Sequence, residues 1–188
     1  MPASAPTSLA DGFFDPLIGL PAWMVRRGHG SFITMEFGEP HLQIGQVEEK
    51  RLHIAGAPER AAGRFTKFGG RWHLWVYCCD WHLELDGVEL AHNETDDVTM
   101  NRALGFLDGQ QLHEVHINPA DAATTFTFDL GCILHTRPAP PGLYKDPPVE
   151  QWFLYEWDGD VLVVREDGTF THGPGSLRSA DEIWRPLG

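Results

Sequence analysis

Residues 72–85 read WHLWVYCCDWHLEL and are the most hydrophobic part of the chain. Apolar side chains occupy both positions of the two-residue strand repeat, with Leu74 and Val76 on one and Trp75 and Tyr77 on the other. Side chains alternate across a strand, so apolar groups on both faces predict a central strand covered on both sides. This stretch therefore predicts a β-sheet as the centre of the fold.

Turn signals surround this strand at the spacing expected of an antiparallel meander. Asp86-Gly87 predicts a hairpin turn into residues 88–91, because Asp-Gly readily adopts positive φ. Residues 124–130 alternate cleanly between apolar and polar side chains, and residues 151–172 contain three strands joined by two tight turns. The sequence predicts a mainly β (α+β) fold, a single-domain antiparallel meander sheet that is curved or barrel-like.

One principal helix is predicted near residues 96–108. Thr95 or Asp96 is the candidate N-cap, and the helix is expected to end before Asp108-Gly109. Its expected apolar side consists of Val98, Ala103, Leu104, Phe106 and Leu107.

The length of 188 residues fits one domain, and we expect a flexible N-terminal tail at 1–12 followed by a single β-rich domain at 13–188. No apolar run approaches the length of a membrane-spanning helix, and the N-terminus lacks the pattern of a secretory signal. Cys78, Cys79 and Cys132 form no even disulfide set and no Cys-x-x-Cys pair. Together these features predict a cytoplasmic protein with reduced thiols and no membrane partner.

The formal charge of −13 is unevenly distributed along the chain. Residues 73–188 carry twenty acidic and six basic side chains, a balance of −14, whereas residues 1–72 are nearly neutral. Such a field repels phosphate backbones and attracts basic surfaces. We therefore expect no direct nucleic-acid ligand and consider a basic protein as partner, although the excess charge equally serves solubility.

Two strings, GSFITMEFGEPHL at residues 30–42 and WHLWVYCC at residues 72–79, resemble a family of uncharacterised bacterial proteins of similar length. The resemblance implies a bacterial origin and a β-rich fold. That family has no established activity, so the resemblance implies no catalytic residues. The acidic, motif-poor character of the chain is also similar in style to small bacterial immunity proteins, which cover the basic active sites of toxins.

The leading interpretation is an acidic interaction protein, immunity-protein-like, that binds a basic protein partner. Electrostatic steering would come from a cluster of carboxylates before and at the start of the helix. The predicted partner-binding residues are Glu84, Asp86, Glu89, Glu94, Asp96 and Asp97. Oligomeric state stays open at this level.

The alternative is a β-barrel or pocket that binds a small molecule, because pockets are mostly apolar with a few placed polar groups. The candidate lining residues are His73, Trp75, Tyr77, Trp81 and His82. A catalytic role for this pocket, including a metal-dependent one, is left open, but the residues favour a protein without enzymatic activity.

The sequence contains no residue spacing that is typical of a metal site. Cys78, Asp80 and His82 share one strand parity, yet structural zinc usually draws paired ligands from two separated turns. His113 and His116 are three residues apart in a predicted strand, whereas a zinc-protease motif requires a spacing of four on a helix. We therefore predict no metal and no cofactor.

Overall fold

The computed structural model describes residues 10–47, 63–144, 148–157, 159–176 and 181–188. A 3-10 helix at Asp11–Leu17 comes first, and one α-helix, α1, spans Asp97–Leu107. The strands in chain order are β1 Trp23–Arg27, β2 Ile33–Phe37, β3 His41–Val47, β4 Gly63–Gly69, β5 Trp72–Val76, β6 Cys79–Leu85, β7 Val88–His92, β8 Leu112–Ile117, β9 Thr124–Phe128, β10 Cys132–Pro138, β11 Glu150–Glu156, β12 Asp160–Arg165, β13 Thr169–Pro174 and β14 Arg185–Pro186.

The strands form two main antiparallel sheets and one separate hairpin. The large sheet has the order β1-β2-β5-β11-β12-β13-β14, and the small sheet has the order β7-β6-β10-β9-β8. Strands β3 and β4 pair only with each other among the described residues and are called the outer hairpin. The prediction of a mainly β antiparallel fold with one principal helix is confirmed, while both sheets stay open, so the fold is not a closed barrel.

The two sheets share one hydrophobic core. Leu74 and Leu154 of the large sheet and Leu83, Phe126 and Leu134 of the small sheet are all buried in the same cluster. Because successive side chains point to opposite faces, the alternate residues of these strands lie on the outer face of each sheet. The side chains on the outer faces therefore do not point into this core and can contact a ligand or a partner.

The stretch at residues 72–85 forms two strands rather than one. The chain leaves the large sheet after Val76 and enters the small sheet at Cys79. Even-numbered side chains such as Leu74 and Val76 are buried before this corner, and odd-numbered ones such as Cys79 and Trp81 are buried after it. Apolar side chains occupy both alternating positions because the stretch forms two strands that belong to different sheets. The prediction of a single central strand is therefore wrong.

Helix α1 is capped as predicted. The side chain of Asp96 accepts hydrogen bonds from the backbone N–H groups of Val98 and Thr99. The buried side is formed by Met100, Ala103, Leu104 and Leu107. Val98 and Phe106 were expected on this side, but they are 61% and 56% exposed, so that part of the prediction is wrong.

The folded part begins before residue 13. Ala10 is fully buried, and Phe14 of the 3-10 helix packs edge-on against Phe126 and Trp152. The remainder of the predicted tail, residues 1–9, lies outside the described residues. Among the described residues, no helix combines the length and apolarity needed to cross a membrane.

Candidate functional site

An open groove of about 470 Å³ lies on the outer face of the large sheet, bordered by the outer hairpin. Strand pairing determines its floor. Glu36 of β2, His73 of β5 and Tyr155 of β11 occupy directly opposed positions and form one row across three neighbouring strands. The groove therefore combines a carboxylate, an imidazole and a phenol that are far apart in sequence.

Glu36 and His73 form a hydrogen-bonded pair at this groove. The Oε1 atom of Glu36 lies 2.7 Å from Nδ1 of His73, and Oε2 accepts a hydrogen bond of 2.9 Å from the backbone N–H of Gly70. Glu36 is only 6% exposed, while the side chain of His73 is about one-third exposed. Both oxygens of a buried carboxylate are thus satisfied, as burial of a charge requires.

The pKa of Glu36 lies below its ordinary value. Burial by itself raises this pKa, because it disfavours the charged carboxylate. The hydrogen bonds from His73 and Gly70, together with the charges of His73 and Lys67, outweigh burial and lower it. Glu36 is therefore ionised at neutral pH and acts only as a hydrogen-bond acceptor.

Gly70 is required by close packing. A Cβ atom at this position would lie 2.4 Å from the carbonyl oxygen of Phe37 and 2.9 Å from its nitrogen. Only a residue without a side chain lets the backbone approach β2 closely enough for the N–H group to reach Glu36. The sequence shows Gly69-Gly70 without any sign of this role.

Aromatic rings continue the floor of the groove along the outer face. Trp75 stacks on Phe153 with 5.4 Å between ring centroids, and Phe153 stacks on Tyr155 at 5.8 Å. Tyr77 extends the same run through an edge contact with Trp75 at 4.7 Å. Burial raises the pKa of Tyr155, so its phenol stays neutral near physiological pH. The result is a partly exposed aromatic surface beside an ionised, satisfied carboxylate.

Basic side chains line the other part of the groove. Lys67 belongs to the outer hairpin, and Arg71 follows it in the connection to β5. The guanidinium of Arg71 lies 3.1 Å from Glu156 and 4.8 Å from the ring centroid of Trp72. The groove thus contains two cationic side chains, of which Arg71 lies close to an aromatic ring and is paired with Glu156. The Glu36 carboxylate is already bonded to its own partners.

The predicted pocket residues lie in three different places in the structure. His73 and Trp75 line the groove, and Tyr77 adjoins them. Trp81 is only 2% exposed and donates a hydrogen bond to the carbonyl of Ser31, so it belongs to the core. His82 lies on the small sheet. The last two assignments are therefore corrected, because the corner at residues 77–78 separates them from β5.

Four groove residues are not predicted from the sequence, namely Glu36, Lys67, Arg71 and Tyr155. The only local signal for Glu36 is a charged residue within the otherwise uncharged strand ITMEF. Its partner His73 is 37 residues away, and strand pairing alone brings the two together.

The predicted partner-binding carboxylates lie along the β6–β7 hairpin and the start of α1. Glu84 and Glu89 are opposite each other across the strand pair, and Asp86 lies in the exposed turn between them. Glu94 is exposed in the following loop. Asp96 caps α1, and Asp97 forms an ion pair of 2.6 Å with Arg27, so both have structural roles.

The cysteines do not form an activated nucleophile. All three are free and buried, and burial raises the pKa of the Cys79 thiol, with further contributions from Cys78 and Asp80. Cys78, Asp80 and His82 do not form a metal site. Cys78 is buried, and the carboxylate of Asp80 accepts a hydrogen bond of 2.6 Å from Arg137.

Comparison of the chain with protein-family models, with curated proteins and with solved structures gives no match.

Proposed function

We propose that the groove on the large sheet binds a small, ring-shaped organic molecule that carries a hydroxyl group. The observation that supports this proposal is the buried Glu36 carboxylate bonded to the partly exposed His73 beside an aromatic floor. The groove has the volume of a typical ligand site, and its lining combines the aromatic rings of Trp75, Tyr155 and Trp157 with polar and charged side chains. A perturbed carboxylate in a cleft strengthens the assignment.

The hydrogen bond to Glu36 determines what His73 offers to a ligand. Ionised Glu36 can only accept, so Nδ1 of His73 carries a hydrogen. The other ring nitrogen, Nε2, is then an acceptor in the neutral imidazole and a donor in the protonated one. A ligand hydroxyl is complementary to both forms, because it can donate as well as accept, and its ring can stack on the aromatic surface formed by Trp75 and Tyr155.

The basic side chains favour hydroxyl groups that are weakly acidic. Lys67 and Arg71 line the groove, Arg71 while paired with Glu156, and their positive charge would stabilise negative charge that develops on the hydroxyl oxygen when it donates to His73. A phenol combines a planar ring with such a hydroxyl, so phenols are the ligand class that the groove fits best.

Ligand-observed NMR with p-cresol and toluene tests this proposal. The two probes share the ring and the methyl group, and only p-cresol has the hydroxyl. We expect saturation transfer from the protein to p-cresol and a much weaker signal for toluene. Removal of this hydrogen-bonding group by His73→Ala should weaken binding about 5- to 10-fold, the equivalent of one hydrogen bond of about 1–1.5 kcal/mol.

The matched control is His113→Ala, which removes an exposed imidazole from β8 of the small sheet. This variant should bind p-cresol like the unmodified protein. Equal signals from toluene and p-cresol, or equal binding by the His73 and His113 variants, contradict the proposal.

A second candidate function is binding of a basic protein, as an immunity protein does. It is supported by Glu84 and Glu89, which lie opposite each other at the edge of the small sheet. Like charges at directly opposed strand positions destabilise a sheet, and a basic partner would relieve this repulsion.

Charge reversal tests the second candidate. A variant with Asp86→Lys, Glu89→Lys and Glu94→Lys changes only exposed side chains. The control reverses three acidic side chains elsewhere, at Asp121, Asp129 and Asp167, which are also exposed. We expect the unmodified chain and the control to capture a basic protein. The first variant should not capture it, and high salt should abolish its capture. Capture that is indifferent to these reversals contradicts it.

A further inference from the structure

Three potential metal ligands lie together on the outer face of the small sheet, not on the large sheet that carries the groove. His82 and Glu84 are two residues apart on β6, so their side chains share one face. His135 of β10 is directly opposite His82 in the strand register. One nitrogen from each imidazole and one carboxylate oxygen all lie within 4.8 Å of one another.

The side chains are already close to the arrangement that a metal ion requires. The imidazole rings of His82 and His135 stack with 4.5 Å between centroids and 22° between planes. The Nε2 atom of His135 lies 3.8 Å from Oε1 of Glu84. In a tetrahedral site with bonds of about 2.0–2.1 Å, neighbouring donor atoms are about 3.3–3.5 Å apart. Movements of about 1 Å by side-chain rotation therefore complete the site without changing the strand register.

A second contact orients one of the imidazoles. The Nδ1 atom of His135 lies 3.2 Å from the hydroxyl oxygen of Thr125, which is its register partner on β9. This contact occupies Nδ1 and leaves Nε2 on the side of Glu84. Metal-binding histidines typically use their second ring nitrogen in this way, which fixes the ring and its tautomer.

We infer that His82, Glu84 and His135 bind a divalent transition-metal ion of the zinc class. Two imidazoles and one carboxylate suit zinc and its first-row neighbours, whereas calcium and magnesium prefer oxygen ligands. Three protein ligands leave one coordination position for water or for an external ligand. Glu89, opposite Glu84, adds negative charge that favours a cation and is itself exposed to solvent.

Titration of tag-free, metal-free protein with Zn²⁺ and Co²⁺ tests this inference. Calorimetry should give one Zn²⁺ per chain, and Co²⁺ should produce the visible absorption of a four-coordinate nitrogen and oxygen site. His82→Ala, His135→Ala and Glu84→Gln each remove one ligand. Loss of an orienting partner typically weakens metal binding about 10- to 100-fold, so loss of a ligand should weaken it by at least that factor.

Two further variants separate a metal site from a merely histidine-rich surface. Thr125→Val keeps the shape of the side chain but removes the hydroxyl, so it should weaken Zn²⁺ binding about 10-fold or more while far-UV circular dichroism stays unchanged. His113→Ala removes a histidine from the same sheet and should leave the affinity unchanged. Absence of stoichiometric Zn²⁺ binding, or equal affinities for the His135 and His113 variants, overturns the inference.

Discussion

Replacement of Glu36 by glutamine should destabilise the protein in a pH-dependent manner. Glutamine has nearly the same shape as glutamate, so Glu36→Gln removes the charge and leaves the packing around it intact. The carboxylate makes two charge-assisted hydrogen bonds, 2.7 Å from Nδ1 of His73 and 2.9 Å from the N–H of Gly70. The glutamine oxygen can still accept one of them, but only as a neutral group.

The expected loss follows from these two contacts. Hydrogen bonds to charged groups contribute about 1.5–3 kcal/mol and neutral ones about 1 kcal/mol. Glu36→Gln replaces these two charge-assisted bonds by one neutral bond, so even the lower values predict that the free energy of unfolding falls by about 2 kcal/mol near neutral pH. For a chain of this size the melting temperature should fall by about 4–8 °C.

The pH dependence has a defined sign. The pKa of Glu36 is lowered in the folded state, so the carboxylate stabilises the fold above the ordinary pKa of 4.5. This stabilisation is lost as the pH falls through the folded-state pKa, where Glu36 becomes neutral like glutamine. The difference in unfolding free energy between the unmodified protein and Glu36→Gln should therefore shrink on acidification.

Urea denaturation followed by tryptophan fluorescence, at neutral pH and in acid, measures this difference. Glu89→Gln is the matched control, because Glu89 is exposed and its substitution should change stability by no more than about 0.5 kcal/mol. A Glu36→Gln effect that is the same at both pH values, or no larger than that of the control, refutes the proposed Glu36–His73 interaction.

Three further outcomes follow from buried groups. Gly70→Ala should lower the free energy of unfolding by about 1–3 kcal/mol, since its Cβ would clash with the β2 backbone; an effect in urea denaturation no larger than that of Gly12→Ala, whose Cβ meets open space, contradicts this. Gln110→Leu should cost about 1–3 kcal/mol, because it leaves the buried N–H of Cys132 without its acceptor; unchanged melting temperature would disagree. Cys79 should resist a thiol-specific reagent until the protein unfolds, since burial raises its pKa; mass spectrometry showing rapid modification of the native protein argues against it.

Local sequence patterns explain much of the fold and little of the candidate site. The alternation in residues 124–130 corresponds to β9, and the Asp96 cap begins α1 as expected. The sequence does not indicate that the strand is interrupted at Tyr77 and Cys78. Apolar side chains at both alternating positions fit a strand covered on both faces as well as a chain that passes from one sheet to the other. The sequence therefore groups Trp81 and His82 with the groove residues, whereas Trp81 lies in the core and His82 lies on the small sheet.

The sequence by itself determined strands such as β9, the helix and its cap, because these depend on neighbouring residues through side-chain alternation, turn preferences and capping hydrogen bonds. Only the tertiary structure decided that Glu36 meets His73 and that His82 meets His135. Those contacts depend on the register between strands that are distant in the chain. Register is determined by the packing of two sheets around one core, which no local pattern encodes.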